Sequence, residues 1–286
     1  MGKITDYSAI TVLNSGNVLL VDGTGGTKKI SANLLTKAFA EISDDVNVHR
    51  NTYGGRSLGT SVSADQWAQI TAGTFHGMLI GDYWTIGGVN WLIADFDYWL
   101  HCGDTECTDH HLVIIPEKVL YNANMNDKVD NADVTTGAYI GSKMYTTNLA
   151  DAKTSIDTAF GAAHILSHKS YFANAVSNGY ESGGAWVASK VDLMNEKMVY
   201  GCEAFHNVVH GTAFPTNYTI DKTQLAIFRL DPTKIVAYNG NNRAYWWLRD
   251  VATATSFARV YSTGYCGSAG ASDSYGVRPA FGIFAS

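Results

Sequence analysis

Residues 101–111 contain the set of side chains in this sequence that most resembles a metal site. The stretch contains Cys102 and Cys107 with three histidines and three acidic residues, namely His101, Asp104, Glu106, Asp109, His110 and His111. Thiolate, imidazole and carboxylate groups are the ligands that zinc takes in proteins. However, all of them lie in one short segment without the paired spacings of structural zinc sites, and His111 leads directly into the apolar stretch 112–115. The pattern therefore favours a hydrogen-bonded loop, and we expect no metal and no cofactor.

No other set of residues predicts an active site. Gly23 and Gly25 resemble part of a phosphate-binding loop, but the Gly-Lys-Ser/Thr of a P-loop and the last glycine of a dinucleotide fingerprint are missing. A glycosidase needs two carboxylates that converge in a cleft, and the sequence does not place two of its acids together. We therefore expect no enzymatic activity and assign no catalytic residue.

The composition is that of a folded body with no attraction to nucleic acid. Of 286 residues, 46% are hydrophobic and 16% are charged, and the formal net charge is −6. A chain of this length can bury a full core, and an acidic chain without basic patches has no field that draws it to nucleic acid. It contains no apolar run of about 18 residues that could span a bilayer, and its first residues lack the apolar core of a signal peptide. We expect no nucleic-acid partner, no membrane insertion, and synthesis in a cytoplasm.

Mixed short elements without regular strand–helix–strand alternation predict an α+β domain. A capping box at Ser63 predicts a helix through Ile70 that ends at Gly73. Two glycines between apolar runs predict a hairpin over residues 83–93. The remaining expected elements are helices at 155–166 and 190–200 and strands at 225–230 and 234–238.

The last quarter of the chain has two apolar flanks around a segment of small and aromatic residues. The flanks read Trp-Trp-Leu-Arg-Asp at 246–250 and Gly-Val-Arg-Pro-Ala-Phe at 276–281, and such apolar runs are typical of buried strands. Residues 251–275 combine tyrosine with serine, alanine and glycine. That is the composition of antibody paratopes, in which tyrosine gives rigid contact area and small polar residues give adaptable hydrogen bonds. Ordinary surface loops and hairpins have it too, so composition alone leaves both interpretations open.

These flanks resemble those of the variable proteins of diversity-generating retroelements. The resemblance is specific at 246–250 and 276–281 and looser in the middle of the chain, where the segments resemble members of this family from bacteriophages and gut bacteria. The looser segments are Gly81–Ile86, Ile93–Asp97, Gly103–Cys107, His110–His111 and Leu193–Glu196. The resemblance covers about residues 75–286 and implies a C-type-lectin fold of the formylglycine-generating-enzyme type.

In such families a reverse-transcribed copy of a template, with its adenines randomised, replaces a segment of the gene. Asn-type codons then become any codon ending in a pyrimidine, and such codons cannot encode Lys, Glu, Gln, Met or Trp. Residues 251–275 contain none of these five residue types. The resemblance thus implies a variable, ligand-binding segment at about residues 244–275.

The implied variable segment would present its side chains on strands and turns, where alternate residues point to one face. Phe257 and Val260 are expected to anchor it. The expected scaffold residues are Trp246, Trp247, Arg249 and Arg278, with both arginines hydrogen-bonded or stacked on rings. The residues expected to face the ligand are Ser256, Arg259, Tyr261, Ser262, Thr263, Tyr265, Cys266, Ser268, Asp273 and Tyr275.

Residues 1–43 are expected to form a region for virion attachment and oligomerisation. Apolar runs at 10–13 and 18–22 predict strands, and a helix with one apolar face is expected from Ser31 to about Ile42. This order resembles the N-terminal regions of phage fibre and tail proteins, and we expect a homotrimer formed through residues 1–42. Residues 44–74 are expected to be a linker with a short helix, and residues 75–286 to be a C-type-lectin-like ligand-binding domain.

The two resemblances together imply a non-enzymatic receptor-binding adhesin on a phage tail or fibre, assembled in the host cytoplasm and carried on the virion. Its partners would be a bacterial cell-surface protein or glycan and other virion proteins. Binding would not need calcium, since the calcium-binding triplets of animal C-type lectins are absent. A structural head, neck or tail fibre protein is the alternative. A formylglycine-generating-type enzyme is less favoured, because Cys266 has no second cysteine beside it near the C-terminus.

Overall fold

Two β-sheets form the centre of the molecule, with helices packed around them in an α+β arrangement. The computed structural model describes residues 18–21, 28–127, 135–177, 180–204 and 223–285. The strands are β1 (Val18–Val21), β2 (Lys28–Ser31), β3 (Ser57–Gly59), β4 (Tyr83–Ile86), β5 (Val89–Phe96), β6 (Leu112–Pro116), β7 (Tyr121–Ala123), β8 (His168–Phe172), β9 (Ala175–Ser177), β10 (Tyr180–Ser182), β11 (Ala185–Ser189), β12 (Val191–Leu193), β13 (Ala237–Asn239), β14 (Asn242–Ala244), β15 (Trp246–Thr253), β16 (Ser256–Val260), β17 (Cys266–Gly270), β18 (Tyr275–Val277) and β19 (Pro279–Ile283). The α-helices are α1 (Ala32–Ala40), α2 (Val46–Arg50), α3 (Ala64–Ala72), α4 (Ala150–Phe160), α5 (Glu196–Tyr200) and α6 (Ala226–Leu230). Single π-helical and 3₁₀ turns occur at Met144–Asn148, Ala162–His164 and Pro232–Ile235.

The larger sheet has six strands in the order β12-β19-β6-β5-β4-β3. Its centre is the apolar pair β5 and β6, whose residues are almost all buried, as a strand covered on both faces requires. The predicted hairpin over 83–93 is confirmed as β4 and β5, because Gly87 and Gly88 supply the two positive φ angles that a tight turn needs.

The second sheet has five strands in the order β17-β16-β15-β18-β7. It contains the first flank of the small and aromatic segment and the start of the second, since residues 246–250 begin β15 and residues 276–277 end β18. Residues 279–281 of the second flank belong to β19 of the larger sheet. The strands β15, β16 and β17 are consecutive and antiparallel, whereas β18 returns parallel to β15. The segment between the flanks therefore forms strands of the sheet rather than one free loop.

The five-stranded sheet lies between two apolar clusters. Trp246, Leu248 and Val260 point into the main core that is shared with the six-stranded sheet. Trp247 and Phe257 point the opposite way, into a smaller cluster that includes several apolar residues between positions 138 and 152. Both expected anchors, Phe257 and Val260, are fully buried, but on opposite faces of the sheet. Burial of each such side chain contributes about 2–3 kcal/mol, so the middle of this sheet is held firmly from both sides.

Residues 44–74 pack against the following domain. The ring of His49 is buried and its two nitrogens lie 2.7 Å from the Met78 carbonyl and 2.8 Å from the Ser43 carbonyl. Arg50 forms a 2.6 Å ion pair with the buried carboxylate of Asp95. The predicted helix at 64–70 is confirmed as α3, with the capping box at Ser63 and the left-handed Gly73 at its end. The segment that was expected to be a linker therefore contributes buried residues of its own.

At the N-terminus, the predicted strand at 18–22 is confirmed as β1, which pairs with β2. The strand predicted at 10–13 lies outside the described residues. The amphipathic helix is confirmed as α1, although it ends at Ala40.

One predicted strand is wrong, a second is confirmed only in its last two residues, and two predicted helices have different bounds. Residues 225–230 form α6 instead of a strand, because the Ala226 amide donates to Asp95 and a helical face buries Ala226, Ile227 and Phe228. Of residues 234–238, Lys234 and Ile235 end a 3₁₀ turn, whereas Ala237 and Tyr238 begin β13. The helix expected at 190–200 begins at Glu196, since Val191–Leu193 pairs with β19, and the helix expected at 155–166 is α4, which ends at Phe160. Among the described residues, none of the helices has the length and apolar character needed to cross a bilayer.

Candidate ligand-binding face

A cluster of tyrosines around one arginine lies at the open end of the five-stranded sheet. In an antiparallel pair, directly opposed residues share a face of the sheet. Arg259 is opposite Trp247 on one side and Gly267 on the other, so all three lie on the face that carries Trp247 and Phe257. Toward the middle of the sheet this face is buried by the smaller apolar cluster, and toward its end it emerges at the surface.

The guanidinium of Arg259 is surrounded by aromatic rings. Its carbon lies 4.6 Å from the ring centre of Tyr245 and 4.4 Å from those of Tyr261 and Tyr275. Its Nε donates to the Ser268 carbonyl at 3.2 Å, which fixes the side chain along the sheet. Each contact between a guanidinium and the face of an aromatic ring contributes about 0.5–2 kcal/mol of stabilisation. The cluster is therefore rigid before any ligand arrives.

Tyr265 extends the cluster into solvent. Its ring stacks on that of Tyr261 at 4.1 Å with an interplanar angle of 17°, and 56% of the residue is exposed. The turn between them is closed by hydrogen bonds from the amide of Tyr261 to the Tyr265 carbonyl and from the amide of Gly264, at φ +95°, to the Tyr261 carbonyl. The hydroxyl of Tyr200 also donates to the Gly264 carbonyl from below, at 3.0 Å. The turn that carries the exposed ring is thus held on two sides.

A depression of about 500 Å³ lies beside the cluster. Two of its walls are the tyrosines Tyr245 and Tyr275, whose ring centres are 5.5 Å apart. The other walls come from β7, from the β13–β14 hairpin and from the residue before β18. These lining residues are Asn122, Asn239, Asn242, Arg243, Ala244 and Ser274.

The structure brings some of the expected ligand residues together and separates others. Arg259, Tyr261, Tyr265 and Tyr275 form the cluster described above. Ser262 and Thr263 are partly or fully exposed in the turn between β16 and β17, and Asp273 is exposed in the turn after β17, where its amide donates to the Gly270 carbonyl.

Ser256, Cys266 and Ser268 are corrections to the expected face. Cys266 pairs with Val260, and Ser268 pairs with Ala258, so both lie on the side of the sheet that faces the main core. Ser256 is buried and hydrogen-bonds the Thr253 hydroxyl. The reason is the two-residue period of a strand: residues of both parities were expected to face the ligand, but β16 and β17 turn only one parity outward.

Cys266 belongs to a buried polar group behind the sheet. Its thiol donates to Glu196 Oε1 at 3.1 Å, and the Glu196 amide donates to Asp250 Oδ2 at 2.6 Å. Burial, with Glu196 second, raises the pKa of the Cys266 thiol well above its usual value. A thiol that stays protonated at neutral pH is a weak nucleophile. The position of Cys266 therefore gives no support to a cysteine-based reaction.

The expected scaffold residues are all buried. The indole nitrogens of Trp246 and Trp247 donate to the carbonyls of Ile235 and Ala123, at 3.1 and 2.8 Å. Arg249 lies 4.7 Å from the ring centre of Phe172. Arg278 is fully buried, donates to the carbonyls of Pro116 and Lys234, and lies 5.1 Å from the Trp246 ring. These contacts are those of residues that hold the sheet together.

The loop at 101–111 is hydrogen-bonded along its length. His110 pairs with Asp97 at 2.7 Å, and His101 pairs with Glu106 at 2.5 Å. Desolvation lowers the pKa of the buried His111, whose Nε2 lies 3.1 Å from the Trp99 amide nitrogen. In the part of the chain that the structure describes, no group of three or more His, Cys, Asp and Glu side chains is placed to hold a metal ion.

Sequence reasoning left out one further motif that has the form of a catalytic signature. Residues 55–59 read Gly-Arg-Ser-Leu-Gly, the spacing of a nucleophile elbow. An elbow places its serine in a sharp turn between a strand and a helix. Ser57 instead begins the edge strand β3, is exposed, and accepts a hydrogen bond from the Gly59 amide at 3.3 Å. Only the spacing matches.

Sequence reasoning also missed the residues of the depression. Tyr245 falls in the expected variable segment but was not among the residues expected to face the ligand, and Asn239, Asn242 and Arg243 were given no role. The signal that could have found them is the run Asn239-Gly240-Asn241-Asn242, which predicts a tight hairpin turn directly before β15. Asn122 gave no signal, since it is brought to the site only by the pairing of β7 with β18.

Comparison with known proteins finds one family model that is similar to the C-terminal part of the chain. A family model described as a domain of unknown function (DUF6273) matches residues 207–284. The match includes α6 and all strands from β13 to β19, and therefore most of the tyrosine cluster and the depression. No curated protein and no solved structure matches the chain. The candidate face thus lies in a region that has relatives, and the description of that family assigns it no function.

Proposed function

We propose that this protein is a non-enzymatic receptor-binding adhesin of a phage particle, with a C-type-lectin-like domain that displays a variable ligand-binding face. The observation that carries the proposal is the cluster of Tyr245, Arg259, Tyr261, Tyr265 and Tyr275 at the open end of the five-stranded sheet. All five residues lie in the segment 244–275, which the flanking motifs relate to the variable segments of diversity-generating retroelements.

The construction of this face supports a role in binding. Its outer rings rest on a guanidinium, and the strands beneath are buried on both faces by Trp246, Trp247 and Phe257. Tyrosine offers a large amphipathic surface and loses little conformational entropy when it is ordered. A rigid scaffold with exposed rings tolerates changes at its outward positions, because the core does not depend on them. That property is what a diversified binding surface needs.

The helix α1 supports attachment to the particle through self-association. Leu34, Phe39 and Ile42, in α1 or just after it, are 60%, 62% and 67% exposed. Large apolar residues that are exposed together on a short amphipathic helix favour an oligomeric contact. We propose a homotrimer formed through residues 1–42, so that several ligand-binding faces point outward from one particle. Many weak contacts then combine into firm attachment.

The proposal is tested by binding of the fluorescently labelled full chain to a panel of whole bacteria. At least one strain is expected to bind the chain, and a Tyr261→Ser, Tyr265→Ser double variant is expected to lose binding to it. Tyr180→Ser is the matched control, since Tyr180 is a tyrosine with 48% exposure on β10. If no strain in the panel binds the chain, the structural fibre protein is the better account. If both variants bind equally, the tyrosine cluster is not the binding face.

The diversification itself has a genetic test. The DNA around the gene is expected to contain a near-copy of the codons for about residues 244–281 that differs only where the copy has adenine, with a reverse transcriptase gene nearby. Absence of both in the surrounding genome would contradict a variable segment, while the cell-binding test would still decide whether the face binds a receptor.

A further inference from the structure

Four of the eight residues that line the depression beside the tyrosine cluster lie outside the segment 244–275 that is expected to vary. Asn239, Asn242 and Arg243 belong to the β13–β14 hairpin, and Asn122 belongs to β7. Its volume of about 500 Å³ is in the range of ligand pockets, roughly 300–1,000 Å³. It opens directly beside the cluster, because Tyr245 and Tyr275 belong to both. The depression thus combines one wall from the expected variable segment with a second wall, Asn122 and the β13–β14 hairpin, that lies outside it.

The walls of the depression suit a ligand with one apolar ring face and many hydroxyl groups. Tyr245 and Tyr275 present ring surface against which the C–H groups of a sugar can pack. The three asparagine amides each carry a carbonyl that accepts and an NH₂ group that donates hydrogen bonds. Hydroxyl groups also do both, whereas carboxylates only accept. The amides therefore match the hydroxyls of a saccharide better than they match an acidic peptide.

The charge of the depression is positive, although the whole chain carries −6. Arg243 is exposed on its wall, and Arg259 lies behind the two tyrosines. Neither arginine forms an ion pair with an acid in the described ranges of the chain. Lys118 adds a third cation at the hairpin, where its Nζ donates to the Gly240 carbonyl at 2.9 Å. The nearby acid is Asp273, one residue before the lining Ser274.

The pKa of the Tyr275 hydroxyl is consistent with a positive charge at the depression. Partial burial raises the pKa of the Tyr275 hydroxyl, Arg259 lowers it, and Asp273 raises it by less than Arg259 lowers it. The cation is therefore the stronger of the two charged neighbours at this wall. An anionic group on a ligand would be attracted here and would find the planar, bidentate donor fork of Arg243 at the surface.

We propose that this depression is a subsite for a uronic-acid residue of an acidic polysaccharide, in which Arg243 binds the carboxylate and Tyr245 and Tyr275 contact the sugar ring. The inference rests on the proposed adhesin function and names the class of its receptor. The variable cluster would contact neighbouring sugars of the chain, and the hairpin would supply a constant preference for carboxylate. Arg243 is then a specificity-determining residue that lies outside the expected variable segment.

Biolayer interferometry with the full chain tests this subsite. The immobilised probes are polygalacturonate and alginate, with dextran as a neutral polysaccharide and poly-glutamate as an acidic polypeptide. We expect binding to at least one uronate polymer, with weaker binding to dextran and to poly-glutamate. Arg243→Gln is expected to weaken uronate binding by about tenfold or more, because a charge-assisted hydrogen bond is lost. Lys190→Gln is the matched control, since Lys190 is an exposed cation beside β12.

Three results would each overturn the subsite: equal binding to dextran and uronates, unchanged uronate binding in Arg243→Gln, or tighter binding to poly-glutamate. Thermal melting checks that both variants are folded. Because Arg243 and Lys190 are exposed, neither substitution is expected to change the melting temperature. Cell binding that depends on Tyr261 and Tyr265 but occurs without any uronate binding means that only the ligand class is wrong. Uronate binding that is sensitive to Arg243 in a chain that binds no cells retains the subsite and rejects the adhesin.

Discussion

Gly267 determines where the ring of Tyr261 can lie. The two residues are on the same face of the sheet, and a Cβ atom built on Gly267 would overlap the Cε2 and Cδ2 atoms of Tyr261. The ring of Tyr261 in turn supports Tyr265 and contacts Arg259. One missing side chain in β17 therefore allows the whole stack to form.

Gly267→Ala is expected to displace the Tyr261 ring and to weaken binding to cells by about tenfold. The melting temperature is expected to change little, because only the ring of a half-buried side chain must move. Gly270→Ala in the same strand is the control, since its Cβ would lie at an ordinary 3.7 Å from Asp273. Equal binding by the two variants would show that the position of the ring does not matter.

Arg278 gives the opposite case, a charged residue whose role is structural. It is fully buried and joins the carbonyls of Pro116 and Lys234, and its Nη2 atom has no hydrogen-bond partner among the described residues. Arg278→Ala is expected to lower the free energy of unfolding by about 3 kcal/mol or more, because it leaves a cavity and two unpaired carbonyls. Urea unfolding measures this loss. A stable Arg278→Ala protein that no longer binds cells would instead make Arg278 a ligand residue.

At the scale of elements, α1 stands out among the described helices for its large exposed apolar side chains, with Phe39 inside the helix and Ile42 just after it. Its last residue, Ala40, is buried, so the helix uses one side within the chain and leaves Phe39 and the following Ile42 exposed. A short helix gains most of its stability from tertiary or quaternary packing. The helix is therefore the place where contacts between copies are expected.

The double variant Phe39→Glu, Ile42→Glu is expected to convert a trimer into a monomer, because charges cannot be buried without partners. Multi-angle light scattering of the full chain gives the mass of each species. Ala68→Glu, at an exposed position of α3, is the control. A native chain that is already monomeric would contradict trimerisation through residues 1–42.

At the scale of the whole molecule, the buried acids behind the sheet link stability to pH. Burial, with Glu196 second, raises the pKa of Asp250 to about 8, while Arg249 opposes the rise. The pKa of an unfolded aspartate is about 3.9. Since the folded value is the higher one, the stabilisation from this group is complete below about pH 4 and is lost as the pH rises through 8.

The free energy of unfolding is therefore expected to fall between about pH 4 and about pH 8, the range between the unfolded and the folded pKa of Asp250. Asp250→Asn is expected to flatten this dependence, because an amide oxygen can still accept the hydrogen bond from the Glu196 amide and has no proton to lose. Urea unfolding of both proteins across this range gives the comparison. Parallel pH curves for the two proteins would show that Asp250 is already ionised in the folded state.

The sequence by itself determined the elements whose signals are local. The capping box at Ser63, the Gly87-Gly88 turn and the apolar flanks at 246–250 and 276–281 each predicted an element that the structure confirms. These signals depend on hydrogen bonds and φ angles of neighbouring residues, so no distant partner is needed to interpret them. The α+β class followed from the order of these elements.

The tertiary structure alone decided the conformation of residues 225–230 and which side chains face outward in the small and aromatic segment. Residues 225–230 form a helix because Asp95, far away in the chain, caps it. Cys266 points inward because Val260 is its partner across the strand, and Asn122 reaches the depression because β7 pairs with β18. A single sequence shows the alternation of a strand, but strand pairing and packing determine which of its two faces is buried.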